Sequence, residues 1–212
     1  MFERIIWIID DDPKVEETLI ENYKVRIENI KKSFVQWQNC DFKLFYLPSL
    51  SLAKQHLEEN SLVDVLVVDY DFNGEVAFKN GSEFVTYVRE KINKQCRIIF
   101  YTMQGIKIVE NEELVSLINS DVYLMIDKSL GNDIMAKAIF EAAISCSPVV
   151  LSLERFFYQY RNILNKTKYN VFDREFALDE IINHIRMDDE IGRAFIDKLL
   201  YKAIIKETEL KE

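Results

Sequence analysis

Five short apolar runs mark the first part of the chain, and most of them stop abruptly at polar residues. Residues 5–9 (Ile-Ile-Trp-Ile-Ile) end in Asp10, Asp11 and Asp12. Residues 42–47 (Phe-Lys-Leu-Phe-Tyr-Leu) are closed by Pro48. Residues 65–68 (Val-Leu-Val-Val) end in Asp69, 96–101 in Thr102, and 122–126 in Asp127 and Lys128. Short continuous runs of this kind suit strands buried on both faces, as in a parallel sheet. Helical spacing fills the intervals. Val15, Leu19, Tyr23, Ile27 and Ile30 predict a helix from 13 to the middle thirties, with Pro13 suited to its first turn. Ser49 or Ser51 can cap a second helix to about residue 60. A third begins at Ser82 with Phe84, Val85 and Val88 on one face, a short fourth covers about 112–119, and a fifth follows Gly131 with Ile134, Ala138, Ile139 and Ala142. Five alternating βα units predict an α/β fold, a doubly wound five-stranded parallel sheet with helices on both faces and right-handed crossovers.

Ser147-Pro148 interrupts the pattern. It divides the chain into 1–147 and a tail, 148–212, in which the reading finds helical stripes and no strand. Val149, Leu153, Phe156, Phe157, Tyr160, Ile163 and Leu164 form one stripe. Leu178, Ile181, Ile182 and Ile185 form a second, and Ile191, Phe195, Ile196, Leu199, Leu200 and Ala203 a third. The expectation is an all-α extension whose one-sided helices pack on each other, on the first domain or on a second copy of the chain.

Composition narrows the function. At 49 % apolar the 212 residues can bury a sizeable core, and a net charge of −9 argues against coating nucleic acid non-specifically. The tail holds 11 Lys/Arg against 12 Asp/Glu, so the helix-turn-helix hint in 178–203 carries no basic recognition helix. Cys40, Cys96 and Cys146 are too few and too widely spaced for a disulfide framework or a metal motif, which suits a reducing compartment. No leader and no apolar run of membrane-spanning length is read, so the expectation is a cytoplasmic protein without a membrane partner.

The chemistry gathers at the strand ends. In an open α/β sheet, ligands bind beyond the carboxyl ends of the strands. Those ends supply Asp10 and Asp11, then Asp69, Thr102 and Lys128. Clustered carboxylates repel and require a cation, and an all-oxygen set suits Mg²⁺. Asp69 is then placed to attack phosphorus, with Lys128 and Mg²⁺ offsetting phosphoryl charge and the Thr102 hydroxyl donating to a phosphoryl oxygen.

These residues, Ile8-Ile9-Asp10-Asp11-Asp12-Pro13, Val67-Val68-Asp69, Tyr101-Thr102 and Asp127-Lys128, resemble the receiver domain of a two-component response regulator. The resemblance covers residues 1–146. It implies a flavodoxin-like sheet of order 2-1-3-4-5, and phosphoryl transfer to Asp69 from a sensor histidine kinase or a histidine phosphotransfer protein. It also implies Mg²⁺ held directly by Asp11, with Asp10 assisting and with Asp69 and the backbone carbonyl of Asp71 completing the site. Thr102 would move toward the phosphoryl group and Lys128 would pair with it. Such a protein is not an enzyme beyond its own phosphorylation and dephosphorylation.

Several positions depart from the family pattern. Ser129 stands where a proline usually follows the lysine, Met125 where an aromatic is usual, and Met103 where a small residue would leave access to the phosphoryl group. The loop after Asp69 lacks its usual proline and runs long before Gly81. Asp71 and Gln104 stand where they would affect water attack.

The leading expectation is therefore a phosphorylation-switched regulator whose helical tail acts by protein contact or as a homodimer. The alternatives are a DNA-binding regulator using 178–203, a phosphorelay intermediate or phosphate sink, and a metal-dependent phosphatase built on Asp69-x-Asp71. His56 and His184 (the latter beside Glu180 and Asp188) read as solvated helical residues. Phe156, Phe157, Tyr158 and Tyr160 read as packing.

Overall fold

The computed structural model describes residues 2–103, 107 and 109–208. It divides into two compact units, Met1–Arg89 with Cys96–Cys146, and Glu90–Gln95 with Ser147–Glu212. One division falls between Cys146 and Ser147, and nothing in the sequence marks residues 90–95 as part of the second unit.

The first unit is a five-stranded parallel sheet in the order β2-β1-β3-β4-β5. Its strands are β1 (Phe2–Ile9), β2 (Cys40–Leu47), β3 (Val65–Asp69), β4 (Arg97–Thr102) and β5 (Leu124–Asp127). Its helices are α1 (Ile20–Lys31), entered through a π turn at Val15–Leu19, then α2 (Leu50–Glu58), α3 (Gly81–Tyr87), α4 (Asn111–Asn119) and α5 (Asn132–Ile144). Every residue of β3 is buried, as a central strand covered on both faces requires. Strand pleating sends Ile6, Ile8, Val65, Val67, Ile99, Tyr101 and Ile126 into one core, where Ile20, Tyr23 and Ile27 of α1 and Ile139 and Phe140 of α5 meet them.

Three strand starts differ by two residues or more from the pattern along the chain, and β2 begins at Cys40, two residues before Phe42. β1 begins at Phe2, because Arg4 is buried in the strand with its guanidinium over the Trp37 ring and does not end it. β5 begins at Leu124, since Asp121 takes a left-handed backbone (φ 49°) and turns the chain just before it.

The second unit contains α6 (Pro148–Gln159), a short α7 (Arg161–Leu164), α8 (Leu178–Arg186) and α9 (Glu190–Thr208). The all-helical expectation is corrected here. Tyr169–Val171 and Arg174–Phe176 form an antiparallel hairpin, β6 and β7. Its two turn residues, Phe172 and Asp173, both have positive φ (49° and 58°), as a tight two-residue hairpin turn demands. The long aromatic stripe also breaks, at Tyr160, into α6 and α7. Val150, Phe157, Phe176, Ile181 and Phe195 centre the core of this unit. Within it Arg186 and Glu154, both almost fully buried, form an ion pair of 2.7 Å. α8 and α9 meet closely at Gly192, where a β-carbon would lie 2.3 Å from the His184 carbonyl oxygen. His184 itself pairs through Nδ1 with Asp189 (2.6 Å), not with Glu180 or Asp188, and packs edge-on to Phe176.

Candidate functional site

β1, β3, β4 and β5 end side by side. The ladder aligns Ile9 with Val68, Asp69 with Tyr101, and Thr102 with Asp127. Residues at or just past these positions therefore share one edge of the sheet.

Asp10 is fully buried. Its Oδ1 accepts from the Asp12 amide (2.8 Å). Its Oδ2 accepts from the Lys128 ammonium (2.7 Å) and from the Tyr101 phenol. Asp69 is also buried, and its Oδ2 accepts from the same ammonium at 3.2 Å while Oδ1 accepts from the Tyr70 amide at 2.8 Å. Asp11 is partly exposed, and its Oδ2 accepts from the backbone and side-chain nitrogens of Asn73 (2.7 and 3.1 Å). Asp10, Asp11 and Asp69 each present a carboxylate oxygen, and these oxygens lie within 4.8 Å of one another. Three hard oxygen donors, one of them reached by water, fit a small divalent cation such as Mg²⁺.

The electrostatics follow from burial. The Asp69 carboxyl is raised to about 7, with burial the largest cause; Lys128 pulls it down, Asp10 pushes it up, and the Tyr70 amide lowers it. Burial lowers the Lys128 pKa, but Asp69 and Asp10 outweigh it, so the net direction is upward and the ammonium is kept. Burial and then Asp10 raise the Tyr101 phenol well above its ordinary value, which keeps it a neutral donor.

The loop after β3 is tied down on several sides. Tyr70 donates its phenol to Glu113 in the first turn of α4 (2.8 Å), and Asn80 donates to the same carboxylate (2.9 Å). Glu75 accepts from the Leu50 and Ser51 amides at the start of α2 (2.9 and 3.2 Å). Asn80 caps α3 by accepting from the Ser82 and Glu83 amides. Gly81 then lets α3 begin against β3, since a β-carbon there would sit 1.8 Å from the Asp69 carbonyl oxygen.

Asp10, Asp11, Asp69 and Lys128 are thus brought together. Thr102 is fully buried as the last residue of β4. Asp71 lies exposed in the loop, outside the three-carboxylate cluster. Met103 is 63 % exposed and, with Asp12, Lys14 and Lys128, borders a cavity of about 230 Å³. Gln104 lies outside the described residues. Ser129 follows Lys128 in a 3₁₀ turn (Lys128–Leu130), and its amide donates to the Asp127 carboxylate (2.9 Å), a bond that a proline could not make. The reading of the residues missed the roles of Tyr101, Asn73 and the Tyr70–Glu113 contact. Only Tyr101 carried a signal, because a phenol inside a buried strand must find a partner.

No protein-family model matches the chain, and no curated protein matches it by sequence. Solved structures do. A response regulator receiver protein from Pseudomonas putida superposes with a TM-score of 0.50 at 16% identity, covering 66% of this chain and 98% of that one. The non-phosphorylated HemR receiver domain from Leptospira biflexa gives 0.49 at 19% identity, covering 68% and 98%. The Mn²⁺-bound form of the response regulator Rcp1 gives 0.45 at 16%, covering 65% and 90%. The first two thirds of this chain has the fold of a response regulator receiver domain.

Proposed function

We propose that this protein is a response regulator that accepts a phosphoryl group on Asp69. The observation that carries the reading is the single ammonium of Lys128 bonded to two buried carboxylates, Asp10 and Asp69, with Asp11 beside them. Two anions sharing one buried cation are under-compensated, which is the condition for binding a further cation and for handling a phosphoryl group.

In the proposed reaction, an Asp69 carboxylate oxygen forms a bond to phosphorus as the N–P bond of a donor phosphohistidine breaks. The imidazole leaves with the bonding electrons and takes up a proton. Lys128 follows the phosphoryl oxygens, and the Thr102 hydroxyl donates to one of them. Asp11 and Asp69, the Asp71 carbonyl and, more remotely, Asp10 are the groups that would hold Mg²⁺. When bound, that ion supplies positive charge to the phosphoryl oxygens. The donor is a histidine kinase or a histidine phosphotransfer protein.

Tyr70 offers a route outward. Its amide holds Asp69 and its phenol holds Glu113, so a change at the acceptor reaches the first turn of α4 through one residue. In this reading Tyr70 supplies the aromatic coupling that Met125 lacks. For the output, the C-terminal unit favours contact with protein over DNA. Phe156, Ile163, Leu200 and Ile204 are exposed on it, and the lysines of α9 are offset in a segment, 148–212, that holds 11 Lys/Arg against 12 Asp/Glu.

The test is intact mass after incubation with acetyl phosphate and Mg²⁺. Wild type is expected to gain one phosphoryl group, and Asp69→Asn none. No Mg²⁺-dependent adduct with acetyl phosphate or with phosphorylated histidine donors would overturn the assignment.

A further inference from the structure

Among the described residues, Tyr101 is a buried polar side chain at the strand ends to which the proposed phosphoryl chemistry gives no role. It stands beside Asp69 in the ladder and is 3% exposed. Its phenol donates to Asp10 Oδ2, and the face of its ring lies 4.6 Å from the Lys128 nitrogen. One side chain therefore holds both charged partners, the carboxylate by its hydroxyl and the ammonium by its ring.

We infer that Tyr101 is a positioning residue that fixes Asp10 for the divalent cation and leaves Lys128 free to be shared with Asp69. The inference rests on the acceptor-site reading and deepens it. The lone pairs of Asp10 explain the need. A carboxylate offers about four acceptor directions. Oδ2 spends two on Lys128 and Tyr101, and Oδ1 spends one on the Asp12 amide. What remains is a single direction on Oδ1, so Asp10 meets the cation or one of its waters in one orientation only.

Without the phenol, a fully buried carboxylate would lean on Lys128 alone. The ammonium already sits nearer Asp10 (2.7 Å) than Asp69 (3.2 Å). Losing the hydroxyl draws it further from Asp69 and frees the Asp10 carboxylate to turn. Groups that orient metal ligands from behind are typically worth about 10- to 100-fold in metal affinity.

The experiment is calorimetric Mg²⁺ titration of the full chain without any phosphodonor. The proteins are wild type, Asp11→Asn, Asp10→Asn, Tyr101→Phe, and the Asp10→Asn/Tyr101→Phe double variant. Tyr101→Phe keeps the ring and the packing and removes only the hydroxyl. It is expected to weaken Mg²⁺ binding about tenfold, with a urea midpoint showing that it is folded. In the Asp10→Asn background the same substitution is expected to change the affinity by less than about twofold, because its route to the ion is already gone.

If wild type binds Mg²⁺ and Asp11→Asn does not, the acceptor-site reading stands. A Tyr101→Phe affinity within twofold of wild type then overturns the inference alone. So does an equal loss in the Asp10→Asn background, which a general loosening of the core would give. If wild type itself binds no Mg²⁺, the reading and the inference fall together.

Discussion

Both units bury charge, and they do so differently. In the C-terminal unit Arg186 and Glu154 form a pair, one cation to one anion at 2.7 Å, each almost out of contact with water. At the sheet edge of the first unit, Asp10 and Asp69 share Lys128, and Asp11 adds a third carboxylate with no cation of its own in the cluster. In the first arrangement the two charges match one to one. The second is short of positive charge, a shortage that would let it take up a further cation. Burial is common to both, so it does not separate them; the balance of charge does.

The contrast can be broken most forcefully at the Arg186–Glu154 pair. Glu154→Ala removes the carboxylate from a buried ion pair, and unfolding in urea is expected to show a loss of about 3–5 kcal/mol. Asp69→Asn, which removes one of two anions competing for one lysine, is expected in the absence of Mg²⁺ to raise the urea midpoint or leave it unchanged. A comparable loss in both variants would erase the distinction between the two kinds of burial.

A smaller effect should appear with pH. The Asp69 carboxyl sits near 7 in the folded protein against an ordinary value of 3.8. Between about pH 4 and pH 7 the folded state therefore holds a proton that the unfolded chain releases, and the group's contribution to stability falls as pH rises through that window. Above about 7 the contribution is level. Subtracting the stability profile of Asp69→Asn from that of wild type, both without divalent cation, isolates the slope; a flat difference would show Asp69 ionised throughout.

The smallest effect sharpens the link to the surface. Tyr70→Phe removes the phenol from Glu113 without disturbing the Tyr70 amide on Asp69. Amide exchange in the first turn of α4 is expected to quicken a few-fold, in keeping with about 1 kcal/mol for one hydrogen bond. The response of that turn to phosphorylation should shrink with it. Exchange that is unchanged before and after phosphorylation would remove Tyr70 from the route.

Much of the first unit was legible in the chain. Each buried strand announced itself by an apolar run, and each run that ended in Asp10, Asp69, Thr102 or Lys128 placed its residue at one edge of the sheet. The boundaries of β1 and β5 were less legible, because Arg4 disguises a strand and Asp121 spends its φ on a turn. The hairpin at residues 169–176 was hidden for another reason. Its strands are three residues long, and its turn, Phe172-Asp173, lacks the glycine or asparagine that usually signals positive φ.

By itself, the sequence determined the alternation of strands and helices, and with it which edge of the sheet would collect carboxylates, a hydroxyl and a lysine. Period and composition suffice for that, because burying both faces of a strand constrains every residue in it. Only the tertiary structure decided how the charges are shared. That one ammonium serves two carboxylates, that a phenol from the neighbouring strand holds one of them, and that Asn73 and Glu113 close the loop around Asp69 all depend on distances between residues 33 to 118 positions apart. Charge balance in a buried site is set by geometry of that kind, and no local pattern along the chain records it.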